Sequence, residues 1–570
     1  MRHRLTIGIA GAGGDGVVVL GSLLQRLAAY QGYFSQMPRY YGPQIRGGAS
    51  GVKLSLDTTR ASLPEDIVDI MVCFNWEKYA ELQQELPLGI NSTVFYDNGL
   101  PGGSLDLPEK SFQVGFSEIS NELDGNTSAK NIVALGLLER ILALPENLVK
   151  AATVHDQASA LLERNGLALK AGRGLLLDYR FDELRLSPPR DATPRTVLHG
   201  NSAAAQGAIR AGCHTFFSYP ITPASEIMEE MQERLNHGNG VFLQAEDEIA
   251  ALGLAVGASL TGAKSMTATT GPGIDLMTEM IGLASSAEIP VVVVDVQRCG
   301  PATGIPSKSE QSDLNHAVYG GHGDAPRVVL AAYSVKGCYR LVIESFNISE
   351  YYQAPVILLS DQRLGQTTVA TNSDFITKDY SIVWRKKPAG EYHEQYQRYQ
   401  LTDDNVSPMA SAGDQGLTYQ ATGLAHNEKG RPSFDFATNQ RMHEKRWQKL
   451  MPLCDRDDLV KLFGKEEVRR GIVTFGSSAQ FVLEAVEDLG LQDEVKVCVP
   501  ELVHPLPRRL TSFVRSLDKL LVVEMSYSAQ LHHYLRSQID LPSDTEAYAR
   551  AGGLAFSRKE LSKPITELAR

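Results

Sequence analysis

The chain has 570 residues, too many for a single hydrophobic core, so several domains are expected. With 55 basic against 67 acidic residues the formal net charge is -12, which argues against general binding to nucleic acid or to an anionic membrane surface. No apolar run reaches the ~20 residues of a membrane span, and "MRHRLTIGIAGAGGDG" breaks into glycine where a signal peptide needs a longer apolar core, so the expectation is a cytoplasmic protein without membrane contact.

The first block, 1–185, alternates strand-like runs ("RLTIGIAG", "DIMVCFNW", "STVFYDNG") with helical ones such as "GSLLQRLAAYQGY", which predicts a small α/β unit. Gly11, Gly13 and Gly16 in "GIAGAGGDG" follow a strand and precede a helix, where free backbone N–H groups can receive a phosphate. Close helix–strand packing is the alternative use of those glycines. A nicotinamide dinucleotide site also needs an acid about 20 residues on, and none occurs between Asp15 and Asp57. Arg2, Arg4, Arg26, Arg39, Arg46 and Lys53 make this end of the chain the one suited to an anion. Nor does "GGDG" open a diphosphate–magnesium motif: the Asn that should follow is missing before Asn75, and an Asp without that oxygen partner cannot complete an octahedral site.

A proline-rich linker, "RLSPPRDATPRTVLHGN", leads to a second block, 197–370. Its continuously apolar runs "TFFSYP", "KSMTATTGPG", "PVVVVDVQR" and "APVILLSDQ" predict a parallel sheet buried on both faces. Four features should converge at the carboxyl ends of its strands. In "SYPITPASEI", Pro220 and Pro223 stiffen a turn that can aim the Thr222 hydroxyl, although Thr222 and Ser225 could equally cap the following helix. Glu248 opens an Ala/Gly-rich helix, where Glu246, Asp247 and Glu248 could also serve only the helix dipole. "TATTGPGIDL" turns through Gly271 and Gly273 into a helix with free N–H groups. Arg298 ends "PVVVVDVQR", where a guanidinium can grip a carboxylate in two-pronged fashion or simply be solvated. A polar segment, 371–465, is expected to wrap over its neighbours, and a third block, 468–570, resumes the α/β alternation. The six cysteines stand singly, with no cluster-binding spacing.

Several of these stretches together carry a family resemblance. "SYPITPASEI", "AEDEIAALGLAVGASLTGAKSMTATTGPG", "GIPSKSEQSDLNHAVYGGHGD", "APVILLSDQ" and "TGLAHNEKGRPSFD" followed by "HEKRWQK" resemble the α subunit of 2-oxoacid:ferredoxin oxidoreductases. The first block, through "GAGGDGV" and "YYGPQIRGG", resembles the γ subunit or domain of that family, fused here at the N-terminus, and the third is similar to a transketolase C-terminal-like domain. The resemblance implies a multidomain α/β protein: a γ-type domain (1–185), a thiamine diphosphate (pyrimidine)-binding domain (197–370), a connecting segment (371–465) and the transketolase C-terminal-like domain (468–570).

It further implies oxidative decarboxylation of a 2-oxo acid on thiamine diphosphate, electron transfer to ferredoxin, and release of an acyl-coenzyme A. Glu248 falls where the family has the glutamate bonded to the aminopyrimidine ring, Thr222 where a threonine touches substrate and cofactor, and Arg298 where an arginine holds the substrate carboxylate. Gly271, with N–H groups free at its turn, is a candidate cofactor contact, and the resemblance makes Gly11, Gly13, Gly16 and Arg46 coenzyme A phosphate contacts, with Asp15 standing where many γ domains have glutamine. Cys299 is a neighbour of the site rather than a nucleophile. The diphosphate–Mg²⁺ motif and the 4Fe–4S cysteines belong in this family to a separate β subunit, which implies a shared active site and a dimer of αβ units. The expected substrate is 2-oxoglutarate, with pyruvate or a branched-chain 2-oxo acid as alternatives; Lys308 and His316 are candidates for a distal substrate carboxylate. A non-catalytic assembly subunit is the competing reading, against which the retention of Thr222, Glu248 and Arg298 counts.

Overall fold

In the computed structural model, residues 2–42, 47–97, 99, 106–145, 159–238, 240–389 and 396–570 are described. The chain forms two units, Met1–His199 with Gln366–Thr377, and Gly200–Gly365 with Lys378–Arg570.

In the first unit, β1 (Arg4–Ala12), β2 (Phe34–Met37), β3 (Arg39–Tyr41), β4 (Ala49–Asp57), β5 (Val68–Cys73), β6 (Leu88–Tyr96), β7 (Ser111–Gln113) and β8 (Thr196–His199) build one mixed sheet. The apolar β1 is central: it pairs parallel with β5 on one side and antiparallel with β4 on the other, in register from Arg4 opposite Asp57 to Ala12 opposite Ala49. The helix Val17–Tyr30 lays Leu20, Leu24 and Leu27 into the core with Ile7, Ile9, Val52 and Leu54. Helices Lys130–Leu142 and Ser159–Arg173 touch backbone to backbone, since a Cβ on Gly172 would lie 2.0 Å from the Val133 carbonyl oxygen. The strand Thr368–Thr371, expected in the second block, instead returns to this sheet between β2 and β8. Its β-branched "TTVAT" suits a strand, but nothing local specifies which sheet receives it.

The second unit contains the expected buried parallel sheet. β9 (Thr215–Ser218), β10 (Val241–Gln244), β11 (Ser265–Thr269), β12 (Val291–Gln297), β13 (Val328–Ala331) and β14 (Pro355–Asp361) run parallel in the order β10-β9-β11-β12-β14-β13, and every residue of β9, β11, β12 and β14 is buried. With the returning Thr368–Thr371 strand counted as β15, a second sheet follows: β16 (Val460–Phe463), β17 (Arg470–Thr474), β18 (Lys496–Pro500), β20 (Lys519–Glu524) and β21 (Asp544–Ala549), in the order β16-β18-β17-β20-β21. Between them β19 (Leu502–His504) crosses to pair antiparallel with β13, and one apolar cluster runs from Val293 and Ile357 through Val473 and Val522.

Between Thr377 and Phe436 the described chain has no helix or ladder strand, and it is held by buried cations. Arg385 forms an ion pair with Glu350 at 2.5 Å and donates to the carbonyls of Ser259 and Ala263, at the C-terminal end of the helix Glu248–Leu260. A guanidinium there satisfies carbonyls that the helix leaves open and complements its dipole. Arg398 donates to the Glu288 carbonyl, while Lys445 and Lys449 close on the Glu288 carboxylate at 2.5 and 2.9 Å.

Candidate active site

The carboxyl ends of β9, β10, β11 and β12 bring together the predicted residues of the second block. After β9 the chain turns through Tyr219–Ala224, where Asn201 Nδ2 donates to the Pro223 carbonyl and to Glu226 Oε2, both at 2.9 Å. The helix Ser225–His237 begins at Ala224 without a side-chain cap, so the capping role considered for Thr222 and Ser225 is not taken up. Thr222 is exposed, and no described group bonds its hydroxyl. Its carbonyl accepts from Arg298 Nη1 at 2.6 Å, which ties the turn to the end of β12.

Glu248 is the first residue of its helix, yet Asp247 is the cap, accepting from the Ala250 N–H at 2.7 Å. Glu248 is therefore not needed to start the helix and is nevertheless buried, 5% exposed. Its carboxylate lies against Gly273: a Cβ there would sit 2.7 Å from Glu248 Oε1 and 2.0 Å from Thr269 Oγ1. Gly273→Ala is accordingly expected to displace Glu248 and lower turnover on the order of a hundredfold, with the circular dichroism spectrum unchanged. Equal turnover would show that the carboxylate position is not critical.

Gly271 opens the helix Gly271–Ser286, and the Asp313 carboxylate lies over it, with Oδ2 3.3 Å from where a Cβ would be. Asp313 arrives through Gln297, whose Oε1 accepts from the Asp313 N–H at 3.1 Å. Burial lowers the Arg298 guanidinium from its ordinary value, and the Asp313 and Glu248 carboxylates oppose that shift. Thr222, Glu248, Gly271 and Arg298 thus surround one site. Asp313, Asp295 and Gly273's packing role escape the motif reading; the one available signal is an Asp inside the otherwise apolar "PVVVVDVQR".

Cys299 Sγ lies 3.2 Å from Glu310 Oε1, and burial with that carboxylate pushes the thiol up to about 11, which leaves it un-ionised at neutral pH. His316 is engaged by Asp275 at 3.0 Å through Nδ1 and by Thr278 through Nε2. Lys308 is half-buried, with its Cβ packed under Gly553.

In the first unit, a Cβ on Gly11 would lie 2.8 Å from Asp15 Oδ2, and one on Gly16, at φ 76°, would lie 2.5 Å from Asn131 Nδ2. The Gly13 N–H is bonded to the Gly48 carbonyl. Asp15 accepts from the Ala12 N–H and pairs with Lys130 at 2.7 Å, so a carboxylate occupies the glycine turn. Arg46 lies outside the described residues.

Comparison with known proteins identifies the chain's relatives. Residues 206–445 match the family model "pyruvate flavodoxin/ferredoxin oxidoreductase, thiamine diP-bdg", and residues 6–175 match "pyruvate ferredoxin/flavodoxin oxidoreductase". The α subunit of a 2-oxoacid:ferredoxin oxidoreductase from a Sulfolobus species is 29% identical over 99% of this chain and 97% of its own. The 2-oxoglutarate synthase subunit KorA of Methanothermobacter marburgensis is 36% identical over 65% of this chain and 99% of its own. A 2-oxoglutarate:ferredoxin oxidoreductase from Magnetococcus marinus, solved with 2-oxoglutarate, coenzyme A and succinyl-CoA bound, matches over 100% of both chains at 34% identity and a TM-score of 0.92. With full-length likeness in sequence and fold, the chain belongs to the 2-oxoacid:ferredoxin oxidoreductase family, as an α subunit carrying a γ-type domain fused at its N-terminus.

Proposed function

We propose that this chain is the γα component of a cytoplasmic enzyme that oxidises 2-oxoglutarate with coenzyme A to succinyl-CoA and CO₂, reducing ferredoxin, and that it also runs in reverse. The observation that carries the reading is the grouping of Thr222, Glu248 and Arg298 at the carboxyl edge of one parallel sheet, in a chain like the Magnetococcus marinus enzyme throughout. The site fits one edge of thiamine diphosphate: Glu248 presents a carboxylate that no described protein group bonds, and Gly273 leaves no side chain in front of it. When bound, that cofactor supplies the nucleophilic carbon and the electron sink for decarboxylation.

The chain's own residues then have distinct tasks. Glu248 exchanges a proton between its carboxylate and the aminopyrimidine edge. Arg298, with Nη1 fixed on the Thr222 carbonyl, has Nη2 for the substrate carboxylate. Thr222 offers its exposed hydroxyl to the 2-oxo group.

A separate β subunit completes the site in this reading, with the diphosphate–Mg²⁺ motif and 4Fe–4S clusters, in a dimer of αβ units. Exposed Ile249 and Leu254 on the Glu248 helix, Leu276 on the next, and open space over Gly253 and Gly257 support a covering partner on this face. Coenzyme A is assigned to the γ-type domain; a phosphate at Gly11, Gly13 and Gly16 must displace Asp15 from Lys130.

The test is coenzyme A-dependent reduction of a viologen dye by the chain alone and with its co-purifying partner, using 2-oxoglutarate, pyruvate and 2-oxoisovalerate. Activity in the complex only, with 2-oxoglutarate preferred, is expected. Preference for another acid would reassign the substrate, and an inactive complex loaded with thiamine diphosphate and clusters would leave the assembly-subunit reading.

A further inference from the structure

Two acids beside Arg298 have no task in the scheme above. Asp295, on β12 opposite Thr269 of β11, is 0% exposed, and neither of its carboxyl oxygens has a described hydrogen-bond partner. Asp313, brought alongside by the Gln297 bond, has an enclosed Oδ2 that is also unpartnered. An ionised carboxylate in such a position would be strongly disfavoured, so a buried oxygen without a donor marks a place where a proton can reside.

The charge balance gives that proton a use. Arg298 is the site's cation, against the carboxylates of Glu248 and Asp313. A 2-oxo acid adds at least one more negative charge to a partly desolvated pocket, where like charges interact more strongly than in water.

We infer that Asp313 takes up a proton from solvent as the 2-oxo acid binds Arg298, offsetting the charge of the one carboxylate that Arg298 receives. The inference rests on the assignment of Arg298 as the carboxylate clamp. Burial, with Asp275 and Glu310, pushes Asp313 up to about 7, and Arg298 opposes this. Asp295 is raised as well, by burial and by Asp313, but it is 0% exposed, whereas Asp313 is only half-buried and is the member that solvent reaches.

The charged groups around Asp313 are Asp295 from β12, Arg298 just after that strand, Asp275 from the helix Gly271–Ser286, and Glu310 from its own loop. Asp275 is engaged by His316, and Glu310 accepts from the Gly552 N–H. The helix Gln530–Gln538 contributes the neutral Gln530, bonded to the Asn315 N–H and the Ser312 carbonyl. With a value near 7, Asp313 is about nine-tenths ionised at pH 8, so the substrate must bring a proton in above neutrality and needs none well below it.

The test is titration calorimetry of the purified assembly with 2-oxoglutarate, and with pyruvate in a second series, without coenzyme A. Runs at pH 8 in phosphate and in Tris separate the protonation heat. The wild type should take up most of a proton per site at pH 8, and its Kd should rise severalfold from pH 7 to pH 8. Asp313→Asn, nearly the same shape and permanently neutral, should take up none, bind at least as tightly at pH 8, and show a flat Kd over that interval. A structural role alone would not move the proton count. Wild-type binding without proton uptake, or uptake unchanged in Asp313→Asn, would overturn the inference. Arg298→Ala run beside them separates the two readings: undiminished binding would sink the clamp, whereas lost binding together with no wild-type uptake would sink Asp313's role alone.

Discussion

Replacing Glu248 by glutamine is expected to lower turnover by about 10²–10⁴-fold, the usual range for a general acid–base group. The amide keeps the shape against Gly273 and leaves Asp247 as the cap, so helix and loop should be undisturbed. What is lost is a group that can exchange a proton. Exchange of the thiamine C2 hydrogen into deuterated water, followed by NMR on the loaded complex, isolates that step from electron transfer and coenzyme A chemistry. Slow exchange and slow turnover together support the assignment. Full turnover in Glu248→Gln would remove it and return the residue to the helix-dipole role.

Much of this was legible in the sequence because it depends on local chemistry. Apolar β9, β11, β12 and β14 read as strands buried on both faces, and their carboxyl ends then locate Thr222, Gly271 and Arg298 without knowledge of pairing. Strand order and long-range capture were not legible. The fate of Thr368–Thr371 depends on partners 331 and 169 positions away, Met37 and His199, and "TTVAT" is neutral on that choice. Charge context was equally hidden: Asp313 acquires its environment through a hydrogen bond to Gln297, 16 residues earlier. The glycine turn of the first unit shows the same limit from the other side. Its motif fits a phosphate loop, but Asp15 and Asn131 fill the space the pattern leaves open. Positions at strand ends are thus readable from local pattern, whereas the neighbours that reach a turn are not.

The polar 371–465 segment hides the largest expected effect on stability. Glu288 is fully buried, with Lys445 and Lys449 on its carboxylate and Arg398 on its carbonyl. Lys445 and Lys449 are four apart, hence on one face of the chain leaving the helix Phe436–Gln448, which is why both reach one acid. Glu288→Gln should destabilise the protein by about 3–5 kcal/mol, because it leaves two buried ammonium groups without a counter-charge. Replacing Lys445 and Lys449 by methionine in the same variant should recover most of that loss, since the cost lies in the unpaired cations rather than in the missing pair. Calorimetric melting of the three proteins decides it; equal transitions would show that water or rearrangement compensates the charges.

The pH dependence follows from the same cluster. Burial acts to raise Glu288, but Lys445, Lys449 and Arg398 outweigh it and hold the carboxyl below its usual range. Its contribution is thus complete above the unfolded carboxylate value of about 4.3 and is lost as pH falls toward the folded value. Burial also lowers Lys449 to about 7, because two cations share one carboxylate. Between about 7 and about 10.4 the unfolded lysine binds a proton that the folded one has released, so stability rises with pH across that interval. Glu288→Gln should flatten the acid limb by one titrating group, and Lys449→Met should flatten the alkaline one. Denaturant midpoints measured from pH 3 to pH 10 would show both limbs, and acid limbs of equal slope in wild type and Glu288→Gln would exclude Glu288 as the group responsible.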